Sequence, residues 1–468
     1  MIASWFRPAP GTSTSTIRTF ERAAEGAREV SFDSLEKHAP ATFPSKNVSE
    51  QELTSTQKKL QSQRRQQIAR PKFADHGPAV AKDASIDPSA FYMVYDPRDS
   101  ASLGYINQMA AVGQVEDFHV VASCANGWDQ GRLEKKVPAN LTTIENPGCQ
   151  DVWAEDHGEF TEDGTMVVPA ILKTSYDTGS VIQADRLRRF AGDEDVADFS
   201  EHGAVNERRT QQEALAAAMA TGASGYKMAV SYVEGGNMMG GKRPDGSAYA
   251  LVGKDSLAVT MDLLKKNNRD HSTRDGLLQI ARDYGYQAGE VVAVEQPGEF
   301  HLDMAMALAG PGQVLLNDAK AVAELQKGWV TEHYSHKFFQ WGKKKQLAAI
   351  EERAEKLAVY EAMVEKDLKK AGLQVFRVAG CFPQTKANSE MNFFNLRQGH
   401  NDKGETFAIA LGGDEKAEQA FAHTLLSEIP SGYQRIHFLD RELTPITLDM
   451  SGGIKCRTKP RQDVPTGA

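Results

Sequence analysis

The chain has 468 residues, 40% hydrophobic and 25% charged, which excludes a peptide, a disulfide-stapled mini-domain and a fibrous repeat. Its 54 Lys and Arg against 63 Asp and Glu leave a net charge of −9, an argument against a general nucleic-acid or anionic-membrane binder. Such a surface suits cationic ligands.

The first 87 residues, rich in Ser, Thr, Gln and Pro, are expected to form a mobile arm and linker, because they hold too little apolar material to offset their ordering entropy. One helix is expected within the arm over 49–70, where Ser49 and Glu52 make a capping-box pattern. Pro71 to Pro78 reads as the linker. The start, MIASWFRPAPGTSTST, lacks the apolar stretch of a cleaved secretory signal. A cytoplasmic location, or secretion without a cleaved signal, is therefore expected. No apolar run reaches about 18 residues, so no membrane span is expected.

From residue 88 onward short apolar runs alternate with helical patterns, which predicts an α/β or α+β fold for a domain over 88–468. Strands are predicted at FYMVY (91–95), HVVAS (119–123), TMVVPAIL (165–172), YKMAVSYV (226–233), YALV (249–252) and VVAV (291–294). Further runs are QVLL (313–316), LQVFRVA (373–379), NFFNL (392–396), TFAIAL (406–411) and RIHFL (435–439). AMALAG and QVLLN read as a hairpin around Gly310-Pro311-Gly312. One helix is expected from near Lys343 to a stop at Gly372, another from an N-cap at Asp414 to Pro430. No phosphate-binding glycine loop is present.

Four stretches are too polar for their surroundings: QDVWAEDHGEF (150–160), YVEGGN (232–237), GEFHLDMAMALAG (298–310) and SGGIKCRT (451–458). His301 and Asp303, two apart, would point the same way on an extended backbone. Cys456 lies between Lys455 and Arg457, cations expected to lower its pKa. Trp153 beside carboxylates would seat a planar cation. Asp151, Glu155, Asp156 and Glu159 have the density of a solvated loop, and Glu234 closes a predicted strand. Cys124, Cys149 and Cys381 read as packing residues. No CxxC pair or zinc-spaced cluster occurs, so no metal and no cofactor are expected, in a reducing compartment.

Taken in chain order, Asp, Glu, His-x-Asp and a C-terminal Cys resemble the guanidino-modifying enzymes of the pentein superfamily. The D-x-W-x-x-D of Asp151, Trp153 and Asp156 resembles the protein-arginine deiminase pattern; EGGN resembles the Glu-Gly-Gly box of arginine and agmatine deiminases. HLD matches the shared His-x-Asp, and GGIKCRT is similar to the terminal Gly-Gly-x-x-Cys-x-Thr. Two departures point away from agmatine: Lys455 stands where many agmatine deiminases have histidine, and no histidine follows Glu-Gly-Gly.

The resemblance implies an α/β propeller of pseudo-repeated ββαβ units. It implies a deiminase in which Asp156 and Asp303 grip a guanidinium and Cys456 attacks its carbon. His301 then serves as general acid and base, with no metal in the chemical step. Glu234 is left with two roles, orienting His301 or holding a guanidinium nitrogen. An arginine-containing peptide or protein is the expected substrate, with a small guanidino compound, an amidinotransferase reaction or a catalytically dead arginine binder as alternatives.

Overall fold

The computed structural model describes residues 77–80, 89–134, 140–146, 151–170, 176–177, 204–205, 211–297, 301–335, 340–430, 432–449 and 452–461. The helix expected over 49–70, the rest of the arm before residue 77, and Cys149 lie outside the described residues. The four residues 77–80, expected in the linker, are docked against the core. Ala79 is buried, bridges to Thr161 and donates its N–H to the Tyr284 carbonyl at 2.9 Å.

The architecture is mixed α/β, built from several small mixed sheets, none closed on itself among the described residues. Five of the sheets share one plan: an antiparallel pair, one or two helices, then a third strand parallel to the second. The first unit pairs Thr458–Arg461, from the C-terminal end, with Ala90–Tyr95, followed by helix Ser102–Glu116 and strand His119–Cys124. Strand Leu141–Glu145 extends this sheet.

The second unit comprises Glu159–Phe160, Thr165–Val168, helix Gln211–Ala220 and strand Gly225–Met228. The third comprises Met238–Lys242, Ala248–Gly253, helices Lys254–Lys266 and Thr273–Tyr284, and strand Val291–Val294. The fourth comprises Met306–Gly310, Gln313–Asn317, helices Ala319–His333 and Gln340–Lys370, and strand Gln374–Val378. The fifth comprises Arg397–His400, Thr406–Ala410, helix Glu415–His423 and strand Tyr433–Phe438.

The units pack in sequence through shared apolar clusters, and the last returns to the first. Tyr92 and Val94 meet Ala154 and Ala220; Val167 meets Ala250 and Val252. Leu251 and Val294 meet Leu308 and Val314; Ala307 and Leu315 meet Ala408 and Ala410. Phe407 and Ile409 then meet Phe91 and Val120. Each fully buried aliphatic or Phe side chain contributes about 1.5–3 kcal/mol, so these seams hold neighbouring units together.

Local chemistry explains where the elements stop. Gly312 at φ +69 turns the expected hairpin, and Gly372 at φ +79 follows the long helix; both are left-handed positions that favour glycine. The run 226–233 is a strand only to Met228. Beyond it, the N–H groups of Val230 and Ser231 donate to Asp283 Oδ2 at 2.9 and 2.8 Å, where a strand would use a neighbour's carbonyls. NFFNL is no strand after Asn392. Phe393 and Phe394 are buried in a turn, and Phe393 packs on Phe421 with ring centroids 5.2 Å apart. Asp414 is the N-cap residue of its helix, as expected, but its side chain makes no capping bond; its carboxylate accepts the Ser389 N–H at 3.1 Å. Among the described residues no helix is long and apolar enough to cross a membrane.

Candidate active site

In each unit a short turn precedes the first strand, and four of these five turns carry or adjoin the expected site residues. The 3₁₀ turn Ala154–His157 carries Asp156, Gly235–Asn237 follows Glu234, and Leu302–Met304 carries Asp303 just after His301. The turn 454–457 carries Cys456, and the turn before Arg397 carries Asn395. Asp156, His301, Asp303 and Cys456 are all buried, as is Asn395.

His301 Nε2 lies 2.8 Å from Glu234 Oε2, and Cys456 is among the neighbours that raise the His301 pKa. The other oxygen of Glu234 accepts the Tyr232 hydroxyl at 2.5 Å. Both carboxylate oxygens are thus engaged, so of the two roles open to Glu234 the geometry favours orienting His301. His301 and Asp303 converge although neither sits in a strand: His301 is extended, and Asp303 lies in the 3₁₀ turn. Gly236 packs directly against both, and a Cβ there would fall 2.3 Å from His301 Nδ1 and 3.1 Å from Asp303 Oδ1. The Gly236 N–H donates to Asp156 Oδ1 at 3.3 Å, which ties the second and third turns together.

The electrostatics depart from expectation at the thiol. Burial pushes the Cys456 thiol above its ordinary pKa, and the charges of Asp303 and Asp156 push it the same way, against the bond to His301. The two adjacent cations are engaged elsewhere. Lys455 Nζ bonds Asp303 Oδ2 at 2.8 Å, and Arg457 Nη1 bonds Asp99. For His301 burial pulls the pKa down, but Cys456, Glu234 and Asp156 together raise it well above the ordinary histidine value. Both shifts favour the protonated forms, the thiol and the imidazolium.

Asp303 Oδ1 is a buried carboxylate oxygen with no hydrogen-bond partner among the described residues. Leaving such an acceptor bare costs about 1–3 kcal/mol, a cost that a donor from a bound molecule would remove.

The first polar stretch is held largely by the chain itself. Trp153 already carries a cation of the chain: Arg457 lies 5.1 Å from its ring centroid, and a Cβ on Gly452 would fall 2.2 Å from the ring. The acid density is not a solvated loop. Glu155 and Glu159 are buried; Glu155 pairs with Arg397 at 2.5 Å and with Lys459 at 3.3 Å, and Glu159 with Lys459 at 3.2 Å. Asp151 accepts the Trp153 N–H at 3.1 Å, a local turn bond. Cys124 is buried with its thiol raised to about 12 by burial, and Cys381 donates to the Met304 carbonyl at 3.2 Å. Among the described residues no cluster of His, Cys, Asp or Glu could hold a metal ion.

Asn395 and Tyr232 went unread in the sequence. Asn395 fell inside a run that looks like a strand, and its signal is positional: it occupies the turn equivalent to those carrying Asp156, Asp303 and Cys456.

No family model matches the chain, and no curated protein matches it. Among solved structures, unliganded AgrE is similar with a TM-score of 0.33 and 13% identity, over 81% of this chain and 40% of AgrE, so the chain spans well under half of that protein. A dimethylarginine dimethylaminohydrolase from Pseudomonas aeruginosa, a cysteine-to-serine mutant complexed with citrulline, has a TM-score of 0.29 and 12% identity over 80% of this chain and 99% of that one. A dimethylarginine dimethylaminohydrolase adduct with S-methyl-L-thiocitrulline has a TM-score of 0.28 and 12% identity, over 79% of this chain and 98% of that one. Likenesses of this size carry no argument about this chain.

Proposed function

We propose that the five units form a pentein-type propeller and that the chain is a cysteine-dependent hydrolase of guanidino groups. One observation carries the reading: a buried His301 is bonded to Glu234 and coupled electrostatically to the buried Cys456, and Asp303 Oδ1, a buried oxygen with no hydrogen-bond partner among the described residues, packs with His301 against Gly236. The ring of seams between successive units, and the equivalent turns that supply the site, support the propeller.

A guanidinium is planar and protonated at ordinary pH, so it is a poor electrophile until it is fixed and its charge is balanced. N–H groups of the substrate would donate to Asp303 Oδ1 and to Asp156. Its positive charge would then face the sulfur and offset the two carboxylates that hold the thiol up. Cys456 loses its proton to solvent and attacks the guanidino carbon as thiolate. A bond from that carbon to a terminal nitrogen breaks, His301 gives the departing nitrogen its proton, and ammonia leaves behind an amidino-cysteine. Neutral His301 next takes a proton from water as the oxygen adds to the carbon. The carbon–sulfur bond breaks as the added hydroxyl gives its proton to solvent, returning the thiolate and a ureido product. One water is consumed and one ammonia released.

The expectation of peptidyl arginine drew on the D-x-W-x-x-D stretch, on the missing histidine after Glu-Gly-Gly and on the N-terminal arm; of these, Asp151 and Trp153 are engaged by the chain itself. The substrate is therefore proposed as an arginine-type guanidinium. Ammonia release from free arginine, agmatine and an N- and C-blocked arginine peptide tests this. Turnover of the blocked peptide supports the protein-directed form, and turnover of the small molecules alone removes it. Amidination of an added amine without ammonia release would replace the hydrolase with an amidinotransferase, and inertness toward every guanidine would refute the function.

A further inference from the structure

A thiolate buried near Asp156 and Asp303 is stabilised by every donor that reaches it, and His301 already acts on Cys456 in that sense. The cations adjacent in sequence add nothing, since Lys455 is held by Asp303 and Arg457 lies between Trp153 and Tyr105, 5.1 and 5.2 Å from their ring centroids. Asn395 adds a donor. Its Nδ2 lies 3.0 Å from Cys456 Sγ, while its Oδ1 accepts the Cys456 backbone N–H at 3.1 Å. A backbone N–H can only donate, so the amide oxygen must face it, and the NH₂ group is thereby turned onto the sulfur.

The side chain is fully buried and closely packed, with a second contact from Nδ2 to Met304 Sδ at 3.6 Å. Gly453 leaves it room: a Cβ there would fall 2.5 Å from Asn395 Cβ and Oδ1. Asn395 also stands in the turn before the first strand of the fifth unit, the position from which the other units supply Asp156, Asp303 and Cys456.

We propose that Asn395 is a catalytic residue whose amide N–H stabilises the Cys456 thiolate, before attack and again when water releases it. The assignment rests on the hydrolase reading for its step in turnover, but not for its effect on the sulfur. A hydrogen bond to a charged acceptor contributes more than one between neutral groups, and a fixed amide dipole needs no reorganisation when the charge forms.

Asn395→Asp separates this role from a structural one. It keeps the oxygen that accepts the Cys456 N–H and replaces the donor on sulfur with a second oxygen. Asn395→Ala removes both. The readout is the pH dependence of iodoacetamide alkylation, resolved by peptide mass spectrometry so that Cys456 is followed apart from Cys124, Cys149 and Cys381. Urea midpoints of both variants establish that they fold. In Asn395→Asp the profile should move to higher pH by about one unit or more, so that alkylation near neutral pH slows about ten-fold or more. Asn395→Ala should move in the same direction by less. A folded Asn395→Asp with the wild-type profile would overturn the proposal and leave Asn395 as a pin of the turn. Alkylation needs no substrate. If the profile shifts while no guanidine turns over, the hydrolase reading falls and thiolate stabilisation stands; if guanidines turn over while the profile is unmoved, the reverse holds.

Discussion

Lys455 Nζ lies 2.8 Å from Asp303 Oδ2 and 3.8 Å from Glu155 Oε1, so the cation next in sequence to Cys456 neutralises carboxylates instead of the sulfur. Glu155 has Arg397 and Lys459 as well. Among the described residues Lys455 is the cation paired with Asp303.

Lys455→Met should therefore strand the Asp303 charge in the interior. Removing one partner of a buried ion pair costs about 3–5 kcal/mol, so the urea midpoint should fall clearly with little change in its slope. The uncompensated carboxylate should also raise the Cys456 pKa further, because Asp303 already acts on the thiol in that direction. A midpoint equal to wild type would show that the pair contributes nothing.

The pH behaviour follows from two raised groups. Cys456 holds its proton above the ordinary thiol value, and His301 holds its own well above the ordinary histidine value. Thiolate absorbance should consequently appear only at a pH above that of an unperturbed cysteine. A bound guanidinium adds positive charge against the carboxylates that raise the thiol, so a non-reacting guanidine should move that titration downward. Turnover should fall on the acid side as Cys456 keeps its proton and on the alkaline side as His301 loses the proton it must donate. Titration of the thiolate with and without ligand checks the direction; an upward shift on binding would contradict the arrangement.

Glu234→Gln should leave His301 with a neutral neighbour. The carboxylate raises the His301 pKa both by its bond and by its charge, so the histidine titration, followed by NMR, should move down. With the imidazolium less populated and less firmly oriented, kcat should drop about 10²-fold with a small change in KM, within the range a positioned acid or base contributes. An unchanged His301 titration would remove Glu234 from its orienting role.

Gly236→Ala tests the close approach at the centre of the site. Its Cβ would fall 2.3 Å from His301 Nδ1, a separation that requires the ring or the turn to shift. The protein should remain folded while turnover drops by roughly 10²-fold, the size of effect expected of an ångström-scale misplacement. Wild-type kinetics in this variant would mean that the packing of the third and fourth turns is unrelated to catalysis.

Much of the fold was legible because its signals are local. The hairpin at Gly310-Pro311-Gly312 and the helix ending before Gly372 each carry a periodicity and a punctuating glycine. The first strand of several units was not, since Glu159–Phe160, Arg397–His400 and Thr458–Arg461 are short and carry charged residues that burial satisfies only in three dimensions. Arg397 looks like surface in the sequence, yet its guanidinium is buried against Glu155 and Thr458. At the site, His301, Asp303 and Cys456 could be singled out by residue type and order. The ties that set their chemistry could not be read: Lys455 with Asp303, Tyr232 with Glu234 and Asn395 with Cys456 join residues by a geometry that no spacing encodes, and the first of them removes a cation that proximity in sequence assigned to the thiol.

The central claim is a covalent bond between Cys456 and the guanidino carbon, and intact-mass and peptide mass spectrometry test it most directly. Wild-type protein and His301→Ala are mixed with a guanidino substrate and quenched in acid. The account predicts an adduct on the Cys456 peptide equal in mass to the substrate less ammonia, absent from Cys456→Ala, which should release no ammonia. Steady ammonia release by Cys456→Ala, with no adduct on Cys456 in the other proteins, would contradict it.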